Sequence, residues 1–145
     1  MNGLQSTTYA AFIDEIAHQP QHRIRQSVLG HEATLCELHD VYEECKSANW
    51  DGFGAEPVEQ DTYRLAYSII EALPLNFPRP SIGTDPDGQI SMEWYRSANR
   101  TLSVSVDPGG FLHYAGIFGS EKSYGSIDVY SDFLPKLTRL VMRVG

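Results

Sequence analysis

The sequence is poor in the features that announce chemistry. Cysteine occurs only at Cys36 and Cys45, nine residues apart in what reads as one helix. Nine steps of about 100° set the two on opposite faces, where they cannot bridge, and two reduced thiols fit an intracellular protein. No apolar run is long enough to cross a membrane. The first eight residues hold neither a basic region nor an apolar stretch, so no signal peptide is expected and the expected compartment is the cytoplasm. Gly-Phe-Gly-Ala at 52–55 does not follow a strand pattern and is not a dinucleotide fingerprint. Cys36, His39, Asp40 and Glu43 offer half of a metal site, but no second Cys/His pair with ligand spacing completes it. No metal or cofactor is therefore expected. Bases are scarce as well, with 11 Lys and Arg against 19 Asp and Glu, so direct nucleic-acid binding is not expected.

What is present is an ordinary globular composition, 41% hydrophobic and 21% charged, over 145 residues. That length suits one domain with a sizeable core. The net charge of −8 has an address: residues 32–61 carry nine acids (Glu32, Glu37, Asp40, Glu43, Glu44, Asp51, Glu56, Glu59, Asp61) and the single base Lys46. The rest of the chain holds ten acids and ten bases, so this segment alone makes the protein acidic. Such asymmetry bears on partners and solubility rather than on fold.

Helical periodicity dominates the first half. Tyr9, Phe12, Ile13 and Ile16 predict a helix over residues 8–18, followed by a polar connection to residue 30. A longer helix is predicted over 31–48, with Leu35, Leu38, Tyr42 and Cys45 inward and Glu37, Asp40 and Glu44 outward. A third is predicted over 57–72, with Pro57 in its first turn and Leu65, Ala66, Ile69 and Leu73 buried. The period then changes from 3.6 to 2, predicting strands at 81–84, 89–96, 101–106 and 111–118. A shorter fifth, over 126–130, follows a glycine- and serine-rich loop at 119–125. A last helix is capped at Ser131 or Asp132 and presents Phe133, Leu134, Leu137, Leu140, Val141 and Val144.

Turn chemistry sets the register. Asp85-Pro86-Asp87-Gly88 and Asp107-Pro108-Gly109-Gly110 each read as a type I turn closed by a left-handed glycine. Three-residue loops then pair Thr84 with Ile90, Ile82 with Met92, Val106 with Leu112 and Val104 with Tyr114. A left-handed Asn99 sets Met92 against Val104 and Trp94 against Leu102, the register that keeps the apolar residues on one face. The fold class expected is α+β: N-terminal helices, then a four- to five-stranded antiparallel meander with the C-terminal helix packed on its apolar face. Ser91, Glu93, Tyr95, Thr101, Ser103, Ser105 and His113 line the other face.

Residues 49–145 resemble a family of uncharacterised bacterial proteins. The resemblance rests on Asn49-Trp50-Asp51-Gly52-Phe53-Gly54-Ala55 with Pro57, on Leu73-Pro74 and Pro78-x-Pro80, and on Asp87-Gly88-x-Ile90-x-x-Glu93-Trp94. It continues through Leu102-x-Val104-x-Val106, Gly110 and Tyr114. Residues 1–48 are a helical part outside the resemblance. The family has no assigned activity, so the resemblance implies bacterial origin and fold unity, and its scatter through accessory and mobile genome regions implies an interaction role.

Two functions remain in view. The first is a non-enzymatic interaction protein whose acidic 32–61 segment, with Glu37, Asp40 and Glu44, meets a basic protein partner in the manner of an antitoxin, an inhibitor or a nucleic-acid mimic. The alternative is a small-ligand or hydrolase site between the Trp50–Ala55 loop and the sheet, drawing on Trp50, Asp51, Phe53, Glu93 and His113. It requires at least two of Asp51, Glu93 and His113 to converge in a concave pocket. Each feature also has a plain structural account: Trp50 and Phe53 plugging the core, Glu93 partly buried against Arg96 or Arg100, a solvated helix, serines on a wet sheet face. No residue stands out as catalytic; a Ser–His pair on the sheet would need an oxyanion hole. Lys136, Arg139 and Arg143 on the last helix complement its dipole. Self-association through the first two helices is a further expectation.

Overall fold

The computed structural model describes residues 31–145. The predicted helix at 8–18 and its connection lie outside them, and with them the first of the two helices expected to mediate self-association. Helix α1 spans Ala33–Cys45 and α2 spans Gln60–Ala72; five strands follow, β1 Ser81–Thr84, β2 Ile90–Ser97, β3 Arg100–Val106, β4 Phe111–Phe118 and β5 Glu121–Asp128. Helix α3, Phe133–Val144, closes the chain. No helix among the described residues is long and apolar enough to cross a membrane.

In α1 the buried stripe is Thr34, Leu35, Leu38 and Cys45, with Tyr42 half-buried against Tyr63 of α2, ring centroids 4.4 Å apart. Cys36 is exposed and Cys45 buried, and both are free thiols. Helix α2 starts three residues later than its proline suggests. Val58 N–H donates to the Cys45 carbonyl and Glu59 is extended, so Pro57 lies in the connection rather than in the first turn. Its buried face is wider than expected, adding Thr62, Tyr63, Tyr67 and Ile70 to Ala66, Ile69 and the flanking Leu73. Leu73 is extended, the conformation a following proline favours, and the helix ends there.

The sheet is an antiparallel meander in the order β1-β2-β3-β4-β5. Both Asp-Pro-x-Gly turns close as expected: Gly88 N–H donates to Asp85 O (2.9 Å) and Gly110 N–H to Asp107 O (3.3 Å), with φ of 89° and 96° at the two glycines. All six expected cross-strand pairs form, from Thr84–Ile90 to Val106–Leu112. The device between β2 and β3 is different. Asn99 is not left-handed; a tight Ala98-Asn99 turn is combined with a bulge at Arg96, which inserts one extra residue in β2 and restores the same register.

The fifth strand is the main correction. It runs from Glu121 to Asp128 and joins β4 through the two-residue turn Gly119-Ser120, Gly119 having φ 74°. Glycine first in a two-residue hairpin loop is the requirement of a type II′ turn. Gly125, placed in a loop by the sequence, and Gly116 of β4 make room for rings. A Cβ at Gly125 would lie 2.8 Å from the Tyr114 hydroxyl, and one at Gly116 would lie within the Phe118 ring contact.

The inner face carries Ile82, Ile90, Met92, Trp94, Leu102, Val104, Val106 and Leu112, all buried, with Tyr114 half-buried. Helices α2 and α3 both pack on it, α3 across β2, β3 and β4 through Leu137, Val141 and Val144, while α1 lies against β1. Fully burying each such aliphatic side chain contributes about 1.5–3 kcal/mol, so this layer is the main source of stability. Trp94 Nε1–H donates to Pro78 O (2.8 Å), tying the proline-rich crossing to the core.

Candidate functional site

The run Asn49–Glu56 closes on itself. Asn49, at φ 61°, follows α1 and its N–H donates to Ala55 O (2.8 Å). Its side-chain oxygen accepts Gly54 N–H (2.6 Å), and Asp51 Oδ1 accepts the N–H groups of Phe53 (2.8 Å) and Ala55 (3.1 Å). Trp50 Nε1–H donates to Glu56 O (2.7 Å) while its ring packs on the core. Glu56 N–H then donates to Pro86 O, joining this loop to the first Asp-Pro-x-Gly turn. Asp51 is thus an organiser of backbone. Phe53 does not plug the core: it stands 92% exposed at the tip of a loop held by its own hydrogen bonds.

The acidic segment divides into engaged and exposed groups. Glu37 does not face outward freely. Its carboxylate accepts Arg79 Nη2–H (3.1 Å) and the backbone N–H of Ile82 (3.2 Å), fastening α1 to β1. Glu43 pairs with Lys46 at 2.8 Å, and the hydrogen bond from that ammonium lowers its pKa. Asp40, Glu44, Glu56, Glu59 and Asp61 are exposed and form no ion pair among the described residues. No group of three His, Cys, Asp or Glu among the described residues is placed to hold a metal ion.

On the open face of the sheet, Glu93 is exposed opposite Ser81 and Ser103 and, among the described residues, pairs with neither Arg96 nor Arg100. Arg100 instead donates to the Arg143 carbonyl (3.0 Å). The Arg143 guanidinium stacks on Phe118 at 4.1 Å and pairs with Glu121 at 2.6 Å, so this helix-end cation clamps α3 to the sheet. The two turn aspartates act alike on this face. Asp85 Oδ2 accepts Ser105 Oγ–H (3.0 Å), and Asp107 Oδ2 lies 2.6 Å from His113 Nε2.

His113 therefore belongs to a chain of three. Its Nδ1 is 2.8 Å from Ser126 Oγ, directly across on β5. Asp107 Oδ1 accepts the N–H groups of Gly109 (2.8 Å) and Phe111 (3.3 Å), which aims the other oxygen at the ring. Burial opposes ionisation of Asp107, but the hydrogen bonds from His113, Phe111 and Gly109 outweigh it and hold the carboxyl below its usual range. Phe111 stacks beside His113 with centroids 6.4 Å apart. Ser91, Ser103 and Ser105, the serines singled out from sequence, make no bond to this histidine.

Sequence reasoning missed Asp107 and Ser126. Asp107 had a sufficient role as turn former, and a fifth strand begun at 126 left Ser126 without a cross-strand partner. The alternation Lys122, Tyr124, Ser126 after a two-residue Gly119-Ser120 turn was the signal available. Two concavities among the described residues lie elsewhere. One of ≈ 570 Å³ is lined by Arg64, Leu65, Ser68, Pro108, Tyr130 and Phe133; the other, of ≈ 380 Å³, lies beside Trp94 and Val141. Neither contains Asp51, Glu93 or His113, and these three groups share no hydrogen bond.

No protein-family model matches the chain, and no curated protein or solved structure matches it.

Proposed function

We propose that this protein is an interaction module that engages a basic protein partner through its acidic segment, with Phe53 as the apolar anchor. The observation that carries the reading is Phe53 itself, 92% exposed on a loop fixed by backbone N–H groups donating to the Asn49 and Asp51 side chains. A large aromatic held in place before binding loses little conformational freedom on docking, and such side chains dominate interface energetics. Around it in sequence lie the exposed carboxylates Asp40, Glu44, Glu56, Glu59 and Asp61, which supply steering toward positive charge. Trp50, Asp51 and Glu37 support the surface from beneath rather than meeting the partner.

The test uses the immobilised full chain to capture proteins from its source cell at low and high salt, beside Phe53→Ala and Asp40→Asn/Glu44→Gln/Glu59→Gln variants. A basic protein retained by the native chain should be lost with Phe53→Ala, an effect of roughly 2 kcal/mol or more for an anchor of this kind. The charge variant should weaken capture chiefly at low salt, where screening is least. Equal capture by all three proteins rules the surface out. A ligand or hydrolase site between the Trp50–Ala55 loop and the sheet has no such observation in its favour, because its polar groups do not converge.

A further inference from the structure

We propose that Ser126 is an activated nucleophile, with His113 as its base and Asp107 as the positioning residue, able to cleave small uncharged or cationic carboxylic esters.

The geometry is that of a relay. An ionised Asp107 only accepts, so a neutral His113 carries its proton on Nε2, toward Oδ2 at 2.6 Å. Nδ1 is then left as the acceptor of the Ser126 hydroxyl proton at 2.8 Å. The Asp107 side chain is 20% exposed and is anchored through Oδ1, so the carboxylate cannot swing away without opening the Asp107–Gly110 turn. The His113 side chain is 44% exposed and Ser126 is exposed, so a substrate can reach the pair. The arrangement matches the nucleophile, base and orienting group of serine esterases, with the two ring nitrogens exchanged.

The strand supplies the rest. β5 is the last strand of the sheet, and Val129 N–H donates inward to Gly110 O. Antiparallel alternation turns the N–H groups of Ile127 and Gly125 inward too, and that of Ser126 outward, away from β4. The nucleophile's own N–H, left out of that ladder, is thus a backbone donor available to an oxyanion. On the same face, Tyr124, 83% exposed, and Phe111, 43% exposed, flank the serine along and across the strands. Their rings suit an aryl or short alkyl group. Asp107 and Asp128 on this surface, and the net charge of −8, disfavour an anionic substrate.

In the reaction, Ser126 Oγ bonds to the ester carbonyl carbon as its proton passes to His113 Nδ1, and the carbonyl electron pair moves onto oxygen. Collapse of the tetrahedral species breaks the bond to the alkoxy oxygen, which leaves as alcohol with the proton from Nδ1. Water then attacks the acyl-serine by the same route, releasing the carboxylic acid and restoring the hydroxyl. One ester and one water give one acid and one alcohol.

The test treats the full chain with an uncharged alkyl fluorophosphonate, with mass spectrometry locating the adduct, and follows p-nitrophenyl acetate hydrolysis in parallel. Ser126 should be labelled, Ser126→Ala should lose both label and hydrolysis, and Ser105→Ala should keep them. His113→Gln should slow labelling about a hundredfold. Asp107→Asn should slow labelling as well, because an amide can present N–H in place of an acceptor and no longer fixes the ring proton on Nε2. Asp85, through Ser105, and Asp128 are the other charges on this part of the face and remain in every variant. Melting curves of Ser126→Ala and His113→Gln, both at exposed positions, verify that the fold is retained. Absence of label on Ser126, or labelling at an unchanged rate in His113→Gln, overturns the proposal.

Discussion

Glu71 is a residue whose ionisation works against the fold. It sits half-buried on α2, and loss of hydration pushes its carboxyl up to about 7. A group with a folded pKa above its unfolded value holds its proton more tightly in the native state. The native protein therefore binds more protons than the unfolded chain between the ordinary glutamate range and about 7, and stability declines as pH rises through that window. Glu71→Gln removes the loss. Its melting temperature should match the native protein near pH 4.5 and exceed it increasingly up to about pH 8, read from thermal melts across that range. Asp107 has the opposite sign: its depressed pKa contributes stability above the unfolded value that disappears as pH falls through the folded one. Acid thus weakens the second turn while it relieves α2.

Among the elements, the first Asp-Pro-x-Gly turn bears the most structure for its size. It sets the β1–β2 register and receives the Asn49–Glu56 loop at Pro86. Gly88 is at φ 89°, and a Cβ there would lie 2.8 Å from the Pro57 carbonyl oxygen, a backbone atom that cannot step aside. Gly88→Ala should therefore cost about 1–3 kcal/mol, measurable as a lower urea midpoint with an unchanged slope.

The same elements show what sequence could reveal. Turns with a proline and a terminal glycine leave few loop lengths, and alternation then leaves one register, so the first four strands and their inner face were legible. β5 was not, because its Gly125 answers to the ring of Tyr114, a contact that exists only once the sheet is assembled. For Phe53 the sequence leaves both a binding ring and a core plug open, because aromatic character argues for burial and nothing local announces that a side-chain-capped loop will hold it out. The Asp107–His113–Ser126 chain was hidden for the same reason as β5: two of its members meet only across that strand pair. Glu37 was misplaced because periodicity cannot see Arg79 and Ile82, 42 and 45 residues away.

Across the whole molecule, the meander order has a consequence for how the chain acquires its structure. Every ladder joins strands adjacent in sequence, so each pairing closes a short loop, and the sheet can grow hairpin by hairpin from any of its turns. The distant event is the seating of α1 against β1, locked by Glu37 across 45 residues of chain. That contact belongs late in the sequence of assembly. Glu37→Gln should accordingly speed unfolding severalfold and leave the refolding rate nearly unchanged, a separation that stopped-flow chevron plots resolve. Parallel losses on both limbs would place α1 docking in the folding nucleus instead. A late-closing α1 also means that the acidic surface and its Phe53 loop, although synthesised before the strands, reach their final form only after the sheet has paired, so a partner finds the site complete only on the finished fold.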